Sequence, residues 1–291
     1  MYCRVPLKSI TKIRFSNRRL SSVTQGSKYS ESYKKYLKLD NGEIGSYFHD
    51  IPLNLDLQNG TCNMVVEIPR WTNGKFEISK EVEYNPIMQD MKKGRVRFVN
   101  NIFPYHGYIH NYGAIPQTWE DPTKVSLDSL KGDNDPLDCC EIGSSVLDLG
   151  DIKNVKILGS IALVDDGELD WKIITIDSKD PVAGSINSLE DVEKTFPGLL
   201  KSTKEWFRDY KIPTNKPRNK FALNGEYQSL DSTIKTIQEC HESWKKLVSQ
   251  HNAFNLENIP QTKRAGDYFI IEGTEQADTD IPTSVNKWDY I

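Results

Sequence analysis

An α+β domain built on a closed or nearly closed sheet is what this 291-residue chain predicts. Two observations carry that expectation. Up to about residue 187 the chain is rich in runs with the two-residue alternation of strands. Beyond it, apolar residues recur at the three- and four-residue spacings of helices. Strands gathered ahead of a few helices favour an α+β layering over alternating βαβ units.

The folded body is expected to begin near Tyr33. "TCNMVVEIPR" sets Cys62, Met64, Val66 and Ile68 against Val65 and Glu67. "GKFEIS" puts Lys75 and Glu77 on one face, with Phe76 and Ile78 on the other, and "GRVRFV" does the same with Arg95 and Arg97. "VKILGSIALV" and "LDWKIITI" add two long β-rich runs, with Asp170 and Lys172 opposite Trp171 and Ile173. In "SLEDVEKTF", Ser188 and Asp191 suit the start of a short helix. "GLLKSTKEWFRDY" reads as a second helix. "SLDSTIKTIQECHESWKKLV" reads as a third, with Ile234, Ile237, His241, Trp244 and Val248 as its stripe. From about Gln250 onward no period dominates.

Composition narrows the class. The apolar fraction of 37% suits a globular core with polar tails, and no run approaches the roughly 18 apolar residues of a membrane span. Net charge is −4, but residues 1–30 hold seven bases (Arg4, Lys8, Lys12, Arg14, Arg18, Arg19, Lys28) and no acid, which leaves −11 on the remainder. Such a body carries no nucleic-acid footprint. The basic, Ser-rich arm with Val5, Leu7, Ile10, Ile13 and Phe15 reads as a mitochondrial targeting peptide, with "RRLSS" as a processing neighbourhood. The expected organisation is leader 1–30, catalytic domain 31–250 and C-terminal extension 251–291. Five cysteines form no C-x-x-C pair, and adjacent Cys139 and Cys140 point to opposite strand faces. They read as packing residues in a reducing compartment.

The stretch "KGDNDPLDCCEIG" concentrates Asp133, Asp135 and Asp138 within six residues. Two carboxylates ~5 Å apart repel by roughly 0.8 kcal/mol in water and by several times that in a drier site. A divalent cation is the usual remedy. An EF-hand loop fails on counting, since Asp138 and Ser144 stand where Gly and Glu are required. A phosphoaspartyl transferase is weakly supported, because "DSLKG" is a poor strand and Leu137 follows Asp135-Pro136. A multi-metal phosphoryl hydrolase fits the charged i, i+2 pairs Lys75/Glu77, Arg95/Arg97, Asp133/Asp135 and Asp170/Lys172. Cations would hold an anion there and carboxylates would hold metal.

These residues carry a resemblance. "GDNDPLD" is similar to the D-x-D-P-x-D motif of the soluble, Mg²⁺-dependent family I inorganic pyrophosphatases. "MVVEIPRWTNGKFEI", "KKGRVRFV", "FPYHGYIHNYGAIPQTWEDP", "DDGELDWK" and "FPGLLKSTKEWFRDYKIP" resemble the same family in order and spacing, over about Ser46 to Val248. The longer eukaryotic, fungal mitochondrial branch is the nearest in appearance.

The resemblance implies a small closed, OB-like β-barrel of about five strands with peripheral strands and flanking helices, its polar mouth holding the site. It implies Mg²⁺ held by Asp133, Asp138 and Asp170, with Glu77 and Asp165 holding metal that arrives with pyrophosphate. Asp135 would be the base acting on the attacking water, and Tyr108 a proton donor, with metal activation of the leaving group as its rival. Lys75, Arg97, Tyr112, Lys172, Tyr210 and Lys211 would face the substrate, with Glu67 and Glu120 as supporting acids. His106 and His110 read as structural or interface residues, and Arg70, Trp71 and His106 as part of a homodimer face. A non-catalytic metal-binding module and a nucleotide or polyphosphate hydrolase are the alternatives. The second lacks a Gly-rich phosphate loop.

Overall fold

The computed structural model describes residues 20–266 and 269–291. Most of the basic leader, residues 1–19, lies outside the described residues. Residues 21–26, assigned to that leader, belong to the folded body: β1 (Ser21–Gly26) pairs antiparallel with β2 (Lys34–Lys38). The polar sequence "SSVTQG" hides this strand from a reading by apolar alternation. β3 (Ile44–Gly45) adds to β2.

Next come β4 (Thr61–Ile68), β5 (Phe76–Ile78) and β6 (Ile87–Gln89). β5 and β6 extend the N-terminal sheet from β2. β7 (Met91–Lys92) and β8 (Arg95–Val96) form a small hairpin, so "GRVRFV" is a strand only at its start. β9 (Asn101–Ile102) precedes β10 (Asn111–Ala114), β11 (Asp138–Glu141), β12 (Ile152–Asp165) and β13 (Glu168–Asp177).

Five of these strands close on themselves. The order runs β13-β11-β10-β4-β12, and β12 pairs back onto β13 from Val155 to Asp165. This ring is the closed sheet expected. The β11–β13 pair is parallel, with Asp138 opposite Lys172. Cys139 Sγ lies 3.7 Å from Met64 Sδ, reaching over the intervening β10, which fixes the concave side. Inside are Cys62, Met64, Val66, Cys139, Trp171 and Ile173, with Ile237 packed on the same cluster. Outside are Val65, Ala114, Cys140, Leu163 and Ile174, packed in one cluster with Trp206 and Phe207. Cys139 and Cys140 thus face opposite ways, as alternation requires.

Three helices follow. α1 (Leu189–Thr195) opens on Ser188, whose hydroxyl accepts from the Asp191 N–H at 3.2 Å. α2 (Leu199–Asp209) covers the outer face of the ring, and β14 (Lys220–Phe221) pairs with β12. α3 (Leu230–Ser249) buries Thr233, Ile237, Trp244 and Leu247, while Ile234, His241 and Val248 of the expected stripe are half-buried. No helix among the described residues is long and apolar enough to cross a membrane.

The C-terminal extension is woven into the body. β15 (Thr274–Glu275) runs parallel to β1, and β16 (Trp288–Asp289) runs parallel to β9.

Candidate active site

The aspartate stretch turns at residues 133–135 and becomes strand only at Asp138, where β11 begins. Asp133 Oδ1 accepts from the Asp135 N–H at 3.0 Å, and Asn134 adopts φ 72°, a left-handed conformation that asparagine tolerates. The turn is clamped to the chain at Glu120: Asn134 N–H donates to Glu120 O at 2.9 Å, and Glu120 N–H to Asp135 O at 2.8 Å. Gly132 permits that approach, because a Cβ there would lie 2.4 Å from the Glu120 carbonyl. A second close approach occurs at Gly113, where a Cβ would meet Val65 O at 1.9 Å beside a register shift in the β10–β4 pairing. Tyr112 stands at that shift.

A cavity of about 220 Å³ gathers every one of the thirteen expected site residues. It lies against the outer face of β11 and β13, where Asp138, Asp170 and Lys172 alternate with the interior Cys139, Trp171 and Ile173. The resemblance placed the site at the mouth of the barrel. The structure puts it on the flank, because α2 and the segment around β5 wall it off from the side.

Cations and carboxylates are paired across this cavity. Lys172 donates to Asp138, to Asp170 Oδ1 at 2.5 Å and to Tyr112 OH at 2.9 Å, and Tyr112 OH also donates to Asp138. Lys75 meets Glu77 Oε2 at 2.5 Å, and Asp90 bridges Lys75 at 3.7 Å to Arg97 at 2.8 Å. Lys211 pairs with Asp165, whose other oxygen accepts from Tyr210 OH at 3.1 Å. Tyr108 sits between Tyr112 and Trp206, with ring centroids 4.9 and 5.0 Å away.

The electrostatics are those of an under-neutralised acidic site. Nine carboxyl groups face four cations among the lining residues, an excess of five acids over bases. Burial, reinforced by Asp135 and Asp170, holds the Asp133 carboxyl well above the ordinary range. Burial and then Asp133 do the same to Glu120. For Asp170, burial outweighs the adjacent Lys172 and pushes the pKa up to about 8. Burial opposes the charge on Lys172, yet Asp138 and Asp170 together keep its pKa well above normal. Tyr108 is pushed by burial up to about 12, against the pull of Lys75 and Arg97.

One cluster of acids has the geometry of a cation site. Oxygens of Glu120, Asp133 and Asp170 all lie within 4.8 Å of one another. Glu120 Oε1 accepts from the Trp171 N–H at 3.1 Å, whereas its buried Oε2 has no protein partner. An all-oxygen donor set with one unsatisfied carboxylate oxygen fits a hard divalent cation. Glu120, read from the sequence as a supporting acid, therefore stands beside Asp133 and Asp170, while Asp138 is engaged by Lys172 and Tyr112.

Other departures are local. Asp133/Asp135 lie in a turn and not on a strand, and Arg95 is exposed while Arg97 alone lines the cavity. Glu67, expected as a supporting acid, lines the cavity and accepts from the Ile78 N–H at 2.6 Å, fixing the end of β5. His110 is buried against Thr203 Oγ1 at 2.7 Å. Asp90 and Lys80, which binds Asp135 Oδ1 at 2.7 Å, were not singled out in the sequence. Asp90 stands between the short strands β6 and β7, where its i, i+2 neighbour Lys92 is not the cation it binds, and Lys80 follows its strand with no periodic signal.

Comparison with known proteins agrees with this geometry. The family model "Inorganic pyrophosphatase" matches residues 64–245. The chain is 57% identical to the mitochondrial inorganic pyrophosphatase of Saccharomyces cerevisiae over 282 residues, 95% of this chain and 91% of that protein. Among solved structures, the inorganic pyrophosphatase of Schistosoma japonicum superposes with a TM-score of 0.86 at 42% identity, covering 93% of this chain and 100% of that one. A truncated Trypanosoma cruzi vacuolar soluble pyrophosphatase, solved with PPi, gives 0.73 at 35% identity, covering 85% of this chain and all of that one.

Proposed function

The chain belongs to the inorganic pyrophosphatase family, and from that premise we propose how its cavity works: Mg²⁺-dependent hydrolysis of diphosphate by a water that Asp135 deprotonates. The enzyme is an inorganic diphosphatase, and its substrate is pyrophosphate. The observation that carries the Mg²⁺ reading is the excess of five acids over bases in the cavity. An anion of up to four charges does not enter such a site unaided, so cations must accompany or precede it.

Glu120, Asp133 and Asp170 have the clustered oxygens to hold one Mg²⁺, and Asp138, Glu77 and Asp165 stand ready to hold others once freed from their lysines. Bound Mg²⁺ would supply charge neutralisation and acidify water. The protein's part is an exchange of partners. Lys75, Lys172 and Lys211, paired with carboxylates in the free chain, would turn to phosphate oxygens as metal takes those carboxylates. Arg97, Tyr112 and Tyr210 add donors on the same walls. Asp135, on the turn and partly open to the cavity, would take the proton of the attacking water. Tyr108 stays protonated through the neutral range and so remains able to donate to the leaving phosphate.

Asp135→Asn tests the assignment: turnover should fall about 10²–10⁴-fold, while Mg²⁺ affinity by calorimetry stays within a few-fold. If Mg²⁺ binding collapsed, Asp135 would be a ligand rather than the base.

A mitochondrial matrix location is supported by the basic, acid-free residues 1–19 and by the mitochondrial relative at 57% identity. A homodimer is supported by a rim of exposed aromatics. Arg70 lies over Trp71 at 5.7 Å, His106 Nδ1 meets Trp71 O at 3.0 Å, and the His106 ring lies 5.9 Å from Trp288. Trp71 itself is 57% exposed.

A further inference from the structure

The ion pair between Lys80 and Asp135 joins residues 55 positions apart, and one returning segment grips both the Lys80 backbone and the side chain of Asn134, next to Asp135. Lys80 follows β5, and its Nζ lies 2.7 Å from Asp135 Oδ1. Its carbonyl accepts from the Gln261 N–H at 2.7 Å. The Gln261 carbonyl in turn accepts from His49 Nε2 at 2.8 Å and Asn85 Nδ2 at 3.2 Å, and Asn85 Nδ2 also donates to Ser79 O at 2.9 Å. His49 Nδ1 accepts from Trp244 Nε1 of α3 at 2.9 Å. Three residues earlier on the same segment, Asn258 O accepts from Asn134 Nδ2 at 2.8 Å. One short stretch thus holds the residue before Asp135 and also the residue that binds its carboxylate.

We propose that Lys80 is a positioning residue for Asp135, and that residues 258–261 are the strap that fixes the two in register. The proposal rests on Asp135 being the base. The Asp135 side chain is 41% exposed on its turn, and Lys80 is the partner that fixes its rotamer. Lys80 takes Oδ1 and leaves Oδ2 for the proton. Proton transfer depends steeply on donor–acceptor placement, whereas a partly exposed ion pair adds little to folding. Loss of Lys80 therefore acts on turnover and spares stability.

The test compares Lys80→Met, Lys80→Arg and Gln261→Pro in the full chain. Lys80→Met should lower kcat at saturating Mg²⁺ by ~10-fold, with KM for pyrophosphate and the thermal midpoint nearly unchanged. Lys80→Arg should recover most of the loss. Gln261→Pro, which deletes the N–H that grips Lys80, should lower kcat in the same sense and add little on top of Lys80→Met. Calorimetry without substrate should show Mg²⁺ affinity unchanged or tighter in Lys80→Met, because a competing cation has left the acidic cluster. A kcat within about two-fold of wild type would overturn the proposal. So would Mg²⁺ affinity falling in step with kcat. Asp135→Asn run alongside separates the two readings: full turnover there removes the base assignment, whereas its loss with Lys80→Met intact removes only the role of Lys80.

Discussion

Lys172 and Ile173 are neighbours in β13, and they belong to different problems. Ile173 points into the ring among Cys139, Trp171 and Cys62, fully buried and apolar. Lys172 points the other way, equally buried, and is tolerated only because Asp138, Asp170 and Tyr112 surround its ammonium. A strand of period two thus builds the core with one set of side chains and the site with the other. The inner face is settled by packing alone. The outer face is balanced against charge and awaits cations from outside the chain.

That contrast can be broken by substitution. On the outer face, Asp135→Asn should cost the most in rate, about 10²–10⁴-fold in phosphate release, with the urea midpoint little changed. On the inner face the order reverses: Ile173→Ala should cost about 2–5 kcal/mol in urea unfolding and leave kcat of the folded fraction near wild type. If Ile173→Ala changed kcat and not stability, the two faces would not be separable.

A third probe uses two buried histidines. Burial pushes His49 down to about 4 and His110 to about 3, so both are neutral in the fold. The unfolded chain, with histidine near 6.5, binds more protons below that pH. Their contribution to stability is therefore full above ~6.5 and is lost as pH falls toward 4. His49→Gln should flatten the pH dependence of urea unfolding across that window, by on the order of 2 kcal/mol near pH 5. An unchanged slope would mean that His49 is not held neutral by its bond from Trp244. The smallest effect is expected at the aromatic rim, where Trp71→Glu should shift sedimentation from dimer to monomer with turnover largely retained. A wild-type chain that sediments as a monomer would remove the dimer reading.

Legibility in the sequence followed the same division. The strands "TCNMVVEI" and "LDWKIITI" announce themselves through alternation, and the aspartate stretch through charge density, so the ring and the charged pairs of the cavity were readable, whereas Tyr108, Tyr112, Asp165, Tyr210 and Lys211 came only from the resemblance to the family. β1 was not, since "SSVTQG" offers no apolar period and is held by pairing with β2 and β15. The strap was not, because residues 254–266 are irregular and act through backbone carbonyls. Lys80 was missed because its partner lies 55 positions along the chain, and Asp90 because it sits on the unpatterned link between β6 and β7. Glu120 was read as a supporting acid because its nearness to Asp133 and Asp170 depends on the turn closing at Gly132.

The most direct measurement is phosphate release from pyrophosphate and from ATP, side by side, with and without Mg²⁺. An outer face that is complete only with cations predicts turnover of pyrophosphate with Mg²⁺, none without it, and little release from ATP. A folded, Mg²⁺-saturated chain that binds metal but does not turn over pyrophosphate would contradict it, as would equal turnover in the absence of metal.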